Sequence, residues 1–132
     1  MKVWRVGHES ALDCGFPSGP YTCKGMDRTE ANRLWGMADD HCNYTHPSPR
    51  ADPLLRSIAS HERCGFDSRD ALNTWFDGWT ETLNECSFVV WEYDVPDWAV
   101  RVGKFGQVVF IADEAVQVSR HSFKPEQLAL SL

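Results

Sequence analysis

Metal or nucleophile chemistry in this 132-residue chain would have to draw on five cysteines and five histidines. A zinc site can be drawn from Cys14, Cys23, His41 or Cys42, and Cys64. Zinc centres favour closely spaced cysteine pairs, however. Eight residues separate Cys14 from Cys23 here and no C-x₂-C pair occurs, so ordinary buried or half-buried thiols, and no metal, are the expectation. The cysteine count is odd, and the opening Met1-Lys2-Val3-Trp4-Arg5-Val6 leads into no apolar stretch of the signal-peptide kind. Both features favour reduced thiols over a disulfide framework. Glycine-rich phosphate loops, H-E-x-x-H, the nucleophile elbow and the EF-hand loop are all missing. What remains is a constellation of three segments. Trp4-Arg5-Val6-Gly7-His8-Glu9 carries Arg5 into a glycine and a histidine, Cys64-Gly65-Phe66-Asp67-Ser68 runs from a glycine-aromatic pair into a helix cap, and Gly106-Gln107-Val108-Val109-Phe110 sets a polar residue before an apolar run. Each residue also has a purely structural use: Arg5 with its stem half-buried, Phe66 in the core, Ser68 as a cap, Gln107 closing a hairpin.

The elements that must position these residues are a strand, about three helices and then four strands. Residues 2–6 read as a strand with Trp4 and Val6 on one face and Val3 and Arg5 on the other. Residues 7–26, rich in Gly, Pro and Ser, read as a long loop. Asp27 and Glu30 make a capping box for a first helix with Ala31, Leu34, Trp35 and Ala38 in one stripe. A second polar loop spans 39–52, with a stiff His46-Pro47-Ser48-Pro49 centre. Asp52-Pro53 then opens a second helix that buries Leu54, Leu55, Ile58 and Ala59 and ends near Arg63. After a brief strand at 64–66, Asp67 or Ser68 caps a third helix with Ala71, Leu72, Trp75, Phe76 and Trp79 inward and a kink at Gly78. Phe88 to Val95 is apolar enough for a central strand covered on both faces. Trp98–Val102 and Gln107–Ile111 flank Gly103-Lys104-Phe105-Gly106 as a hairpin, Val116–Arg120 is the last strand, and the tail from 124 to 132 carries no clear signal. Helices grouped before a mostly antiparallel sheet predict one α+β domain over 1–132.

Composition narrows the partners. A hydrophobic fraction of 42% and a mean hydropathy of −0.41 are ordinary for a globular chain. A net charge of −6 and a pI near 5.2 argue against gripping nucleic acid through a broad basic face. No stretch approaches the ~18–20 apolar residues of a membrane span. The expected location is the cytoplasm. Six Trp, seven Phe and three Tyr suit core filling first, then pockets and interfaces.

In their order and approximate spacing, over perhaps half the chain, the three segments resemble the ADP-ribosyltransferase superfamily. That resemblance implies a split sheet and NAD as cofactor. It casts Arg5 as the holder of the dinucleotide phosphates, His8 as a donor to ribose or carboxamide, Phe66 as the ring stacked on the nicotinamide and Ser68 as a hydrogen-bonding neighbour. It places Gln107 where the family has a catalytic Glu. An amide there keeps a hydrogen bond but loses the charge that stabilises an oxocarbenium-like transition state, a loss of ~100-fold or more in rate. Glu92, Asp94 and Glu114 are the carboxylates that could compensate. The frame over residues 65–110 also resembles short proteins of bacteriophages and mobile elements. That resemblance implies an accessory protein that binds and inhibits a host or defence protein, using Trp4, Trp35 or Trp98 and the two long loops.

Overall fold

The structure, a computed structural model, describes residues 1–41, 49–55 and 57–123. Cys42, the 46–48 part of the proline-rich loop and the 124–132 tail lie outside them. Strands β1 (Lys2–His8), β4 (Glu62–Phe66), β5 (Phe88–Asp94), β6 (Val100–Val102), β7 (Gln107–Ile111) and β8 (Val116–His121) form one sheet in the order β6-β7-β4-β1-β5-β8. Every neighbouring pair in it is antiparallel. Strands β2 (Leu12–Asp13) and β3 (Phe16–Pro17) make a separate small hairpin. Among the described residues four short α-helices complete the set: α1 (Arg28–Asn32), α2 (Met37–Asp40), α3 (Arg69–Trp75) and α4 (Thr80–Glu85). The α+β architecture with a mostly antiparallel sheet is as the sequence predicts.

Alternation along β1 and β5 splits the core into two layers. Val6, Phe88 and Val90 face the helices and pack with Leu34, Met37, Leu72, Trp75, Phe76 and Leu83. On the other face Val3, Trp91, Tyr93, Val108 and Phe110 form a second cluster, capped by Phe16 of the small hairpin. β5 is therefore covered on both sides, as its apolar run requires. The β6–β7 hairpin also forms as expected, closed by the Gly103 N–H donating to the Gln107 carbonyl at 2.9 Å, with Gly106 at φ +83°.

The helical half differs from the sequence reading in four places. Asp27 caps α1 through the Thr29 and Glu30 N–H groups, but the helix stops at Asn32 and resumes as α2. Gly36 sits at the break, where a glycine gives helix propagation little support. The buried pair is then Leu34 and Met37, while Trp35 is 81% exposed. The helix expected to open at Asp52 does not form among the described residues. Asp52 Oδ1 accepts from the Leu54 N–H at 2.9 Å as a cap should, but its Oδ2 accepts from the Lys104 N–H at 2.7 Å, across the fold. That tertiary bond fastens a 3₁₀ turn (Pro49–Ala51) and its following residues to the β6–β7 loop, and the chain is extended again by Glu62. The kink foreseen at Gly78 is a full break between α3 and α4, because Gly78 adopts φ +86°. Finally, the 7–26 loop contains the β2–β3 hairpin. Its two-residue turn, Cys14 (φ 51°) and Gly15 (φ 82°), has the left-handed pair of conformations that matches strand twist.

Candidate functional site

β1 pairs with β5 along its whole length, Lys2 to His8, yet meets β4 at a single registered pair, Trp4 with Phe66. Gly65 makes that meeting close. An added Cβ there would lie 2.8 Å from the Trp4 carbonyl oxygen and from Val3 Cγ1. Beyond the pair the two strands part, and the side chain of Arg5 spans the opening. Its Nη1 donates to the Cys64 carbonyl at 2.8 Å and its Nη2 to the Pro17 carbonyl at 3.4 Å. The guanidinium thus takes over a β4 carbonyl that a ladder partner would otherwise satisfy.

A cavity of about 470 Å³ occupies this opening, within the roughly 300–1,000 Å³ typical of ligand pockets. Arg5, Phe66 and Gln107 all line it. They meet because β1, β4 and β7 are consecutive in the sheet and because Phe66 pairs with Gln107 in register. His8 and Ser68 are not brought there. His8 Nδ1 accepts from the Ser10 and Ala11 N–H groups and its ring meets Phe88 edge-on, which closes the loop after β1. Ser68 caps α3 by accepting from the Ala71 N–H at 3.0 Å. Glu92 is held toward the β5–β8 edge of the sheet by Lys2, Ser119 and His121, and neither it nor Asp94 nor Glu114 lines the cavity. The carboxylates that do are Asp13 and Glu62.

On the helix side the wall is aromatic. Trp75 Nε1 donates to Tyr21 Oη at 2.7 Å, and Tyr21 Oη shares a 2.7 Å hydrogen bond with His41 Nδ1. Burial pushes the Tyr21 hydroxyl above its ordinary value, outweighing the opposing effect of the Trp75 bond, so it stays protonated at neutral pH. On the hairpin side the wall is cationic. Arg5 and Arg63 both lie over the Phe16 ring, their Cζ atoms 5.7 and 5.8 Å from its centroid. Burial alone raises the Glu62 carboxyl, but the Ala59 N–H and the Arg101 guanidinium 3.0 Å away together hold it below its ordinary value. Among the described residues no three His, Cys, Asp or Glu groups cluster as metal ligands would.

Tyr21 and Arg63 are site residues that the sequence reading did not single out, and His41, drawn there only as a zinc ligand, enters instead as the hydrogen-bond partner of Tyr21. Alternation would have found Arg63. Once β4 begins at Glu62, residue 63 falls on the face opposite Phe66, and Arg5 occupies that same face on β1. Tyr21 and His41 come from loop and helix-end positions with no periodic signal.

Residues 1–124, which take in every strand and helix of the fold, match the family model described as the bacteriophage T4 Y00F protein. The chain belongs to that phage family. No curated protein and no solved structure matches it. The phage-type character expected from the 65–110 frame is therefore supported. The match shows no likeness to ADP-ribosyltransferases. Among the described residues, no helix of this family member is long and apolar enough to cross a membrane.

Proposed function

We propose that this phage protein binds an anionic, ring-bearing small ligand of the nucleotide class, NAD foremost, in the cavity between β1 and β4. The observation that carries this reading is the convergence of Arg5, Phe66 and Gln107 on one cavity with an aromatic wall and a cationic wall. A guanidinium suits the phosphates, rings suit a base or nicotinamide, and an amide suits a ribose hydroxyl. Gln107 is buried and cannot supply a carboxylate, so the reading is a binder or a slow ADP-ribosyltransferase acting on a host macromolecule. At a ligand concentration ten times Kd, binding adds roughly 1.4 kcal/mol to stability, or about 4–6 °C in Tm for a chain of this size. A thermal melt with 5 mM NAD should show that rise, and Arg5→Lys, which keeps the charge but not the fork, should reduce it. An unchanged melting curve for the wild-type protein at 5 mM NAD refutes the reading.

A second reading, non-enzymatic binding to a host or defence protein, is favoured by one observation. Trp35 and Trp98 are 81% and 71% exposed, whereas Trp4 packs against the helix-side core. If this surface is used, Trp35→Ser or Trp98→Ser should leave the melting temperature unchanged and abolish association with an identified host protein. Retained association in both variants removes it.

A further inference from the structure

Taking a guanidinium out of water is costly unless an anion or a full set of acceptors replaces the lost hydration. Arg5 is only 8% exposed, yet among the described residues it forms no ion pair; its oxygen acceptors there are two backbone carbonyls, Cys64 and Pro17, and its Nε is buried without a partner. Arg63, half-buried, shares part of this pattern. Its acceptors are the Ser60, Glu62 and Asp13 carbonyls, and its Nε is likewise buried and unpartnered. Each guanidinium has five N–H donors, so the pair holds unused donors and two positive charges that no carboxylate among the described residues offsets. Both sit over one ring, Phe16, and both line the same cavity. Like charges brought together on a low-dielectric wall repel unless something negative lies between them. Of the two carboxylates on that wall, Glu62 is committed to Arg101, and Asp13 contributes its backbone carbonyl to Arg63 but no ion pair.

We propose that Arg5 and Arg63 form a two-guanidinium clamp for a diphosphate-type anion, with Phe16 as the spacer between them. The clamp fixes the ligand's orientation. Its anionic group lies on the β2–β3 hairpin side, and its ring passes through the β1–β4 opening toward Phe66, Trp75 and Tyr21. Arg63 is thereby a specificity-determining residue and Asp13 a built-in opponent of the anion. The inference rests on the cavity being a ligand site, as proposed above, but not on NAD being the ligand.

Isothermal titration with inorganic pyrophosphate alone separates the two. Wild-type protein should bind it, with affinity falling as salt is raised. Arg63→Gln should weaken binding by at least about tenfold, the loss of one charge-assisted contact. Asp13→Asn leaves the hairpin backbone untouched and should tighten binding several-fold. The Asn variant keeps the test decisive even if Arg63→Gln destabilises the fold through its three carbonyl contacts. Absence of pyrophosphate binding by the wild-type protein, or an affinity unmoved by Asp13→Asn, overturns the clamp. Pyrophosphate binding without any effect of NAD would overturn the proposed ligand and keep the clamp. A response to NAD that neither substitution alters would do the reverse.

Discussion

Gly65→Ala tests the idea that β1 and β4 touch at one tight point. The added Cβ would sit 2.8 Å from the Trp4 carbonyl oxygen, 2.8 Å from Val3 Cγ1 and 3.4 Å from Phe110 Cε1. Comfortable carbon contacts begin near ~3.5 Å, so the neighbours must yield by about 0.7 Å. Val3 and Phe110 are fully buried and the Trp4 oxygen is backbone, so neither side can give way cheaply. Overpacking of this kind costs about 1–3 kcal/mol, while replacing a strand glycine by alanine returns roughly 0.5–1 kcal/mol of backbone entropy. The net expectation is a loss of about 1–2 kcal/mol, accompanied by a longer Arg5–Cys64 bond as β1 is pushed outward. With a urea m-value of about 2 kcal/mol/M, the unfolding midpoint should fall by roughly 0.5–1 M. Gly36→Ala is the matched control. Gly36 has φ −75° and meets only Trp79 Cη2, at 3.8 Å, so the same methyl should be neutral or stabilising there. An equal or higher midpoint for Gly65→Ala would refute the close approach, and with it the account of why the strands part beyond it.

Two further substitutions probe buried polar groups. Tyr93 Oη is buried and makes no hydrogen bond among the described residues; burial pushes its ionisation above the ordinary value, against the pull of the Arg5 charge. Tyr93→Phe should therefore match or exceed wild-type stability by up to about 1 kcal/mol at neutral pH, and it should lose less stability than wild type as pH rises beyond ~10; a urea midpoint clearly below wild type would show that the hydroxyl has a partner. The Glu92 carboxyl is held below its ordinary value first by His121 and then by Lys2 and Ser119, so its contribution is complete above the unfolded value near ~4.3 and disappears as pH falls through the lower folded one. Glu92→Gln should flatten the acid limb of a stability–pH profile taken from pH 7 to pH 3, and an unaltered slope would count against these contacts.

The strands were legible because their signals are local. Phe88 to Asp94 is β-branched and aromatic, and the glycines at 103 and 106 mark a hairpin whose two sides pair over Val100–Val102. The helices were less so, since their limits are set by single residues acting against the apolar stripe: Gly36 and Gly78 interrupt it, and Asp52 spends its second oxygen on Lys104. The site was legible where it depends on strand order. Arg5, Phe66 and Gln107 meet because their strands are adjacent, whereas His8 and Ser68 are absorbed by backbone N–H groups within three residues of themselves. No sequence pattern announces that β1 and β4 part after one pair, and the cavity with its Arg63, Tyr21 and His41 walls follows from that parting.

The position of β1 also bears on synthesis. The earliest strand in chain order lies in the interior of the sheet, between β4 and β5, and its full-length partner is not translated until residues 88–94. A nascent chain therefore carries Lys2–His8 with at least one unpaired edge until β5 has followed it out of the ribosome, a state that invites pairing with other chains. Folding is late and dominated by distant contacts, so the yield of soluble protein should improve when elongation outpaces encounters between nascent chains, at low temperature or low expression.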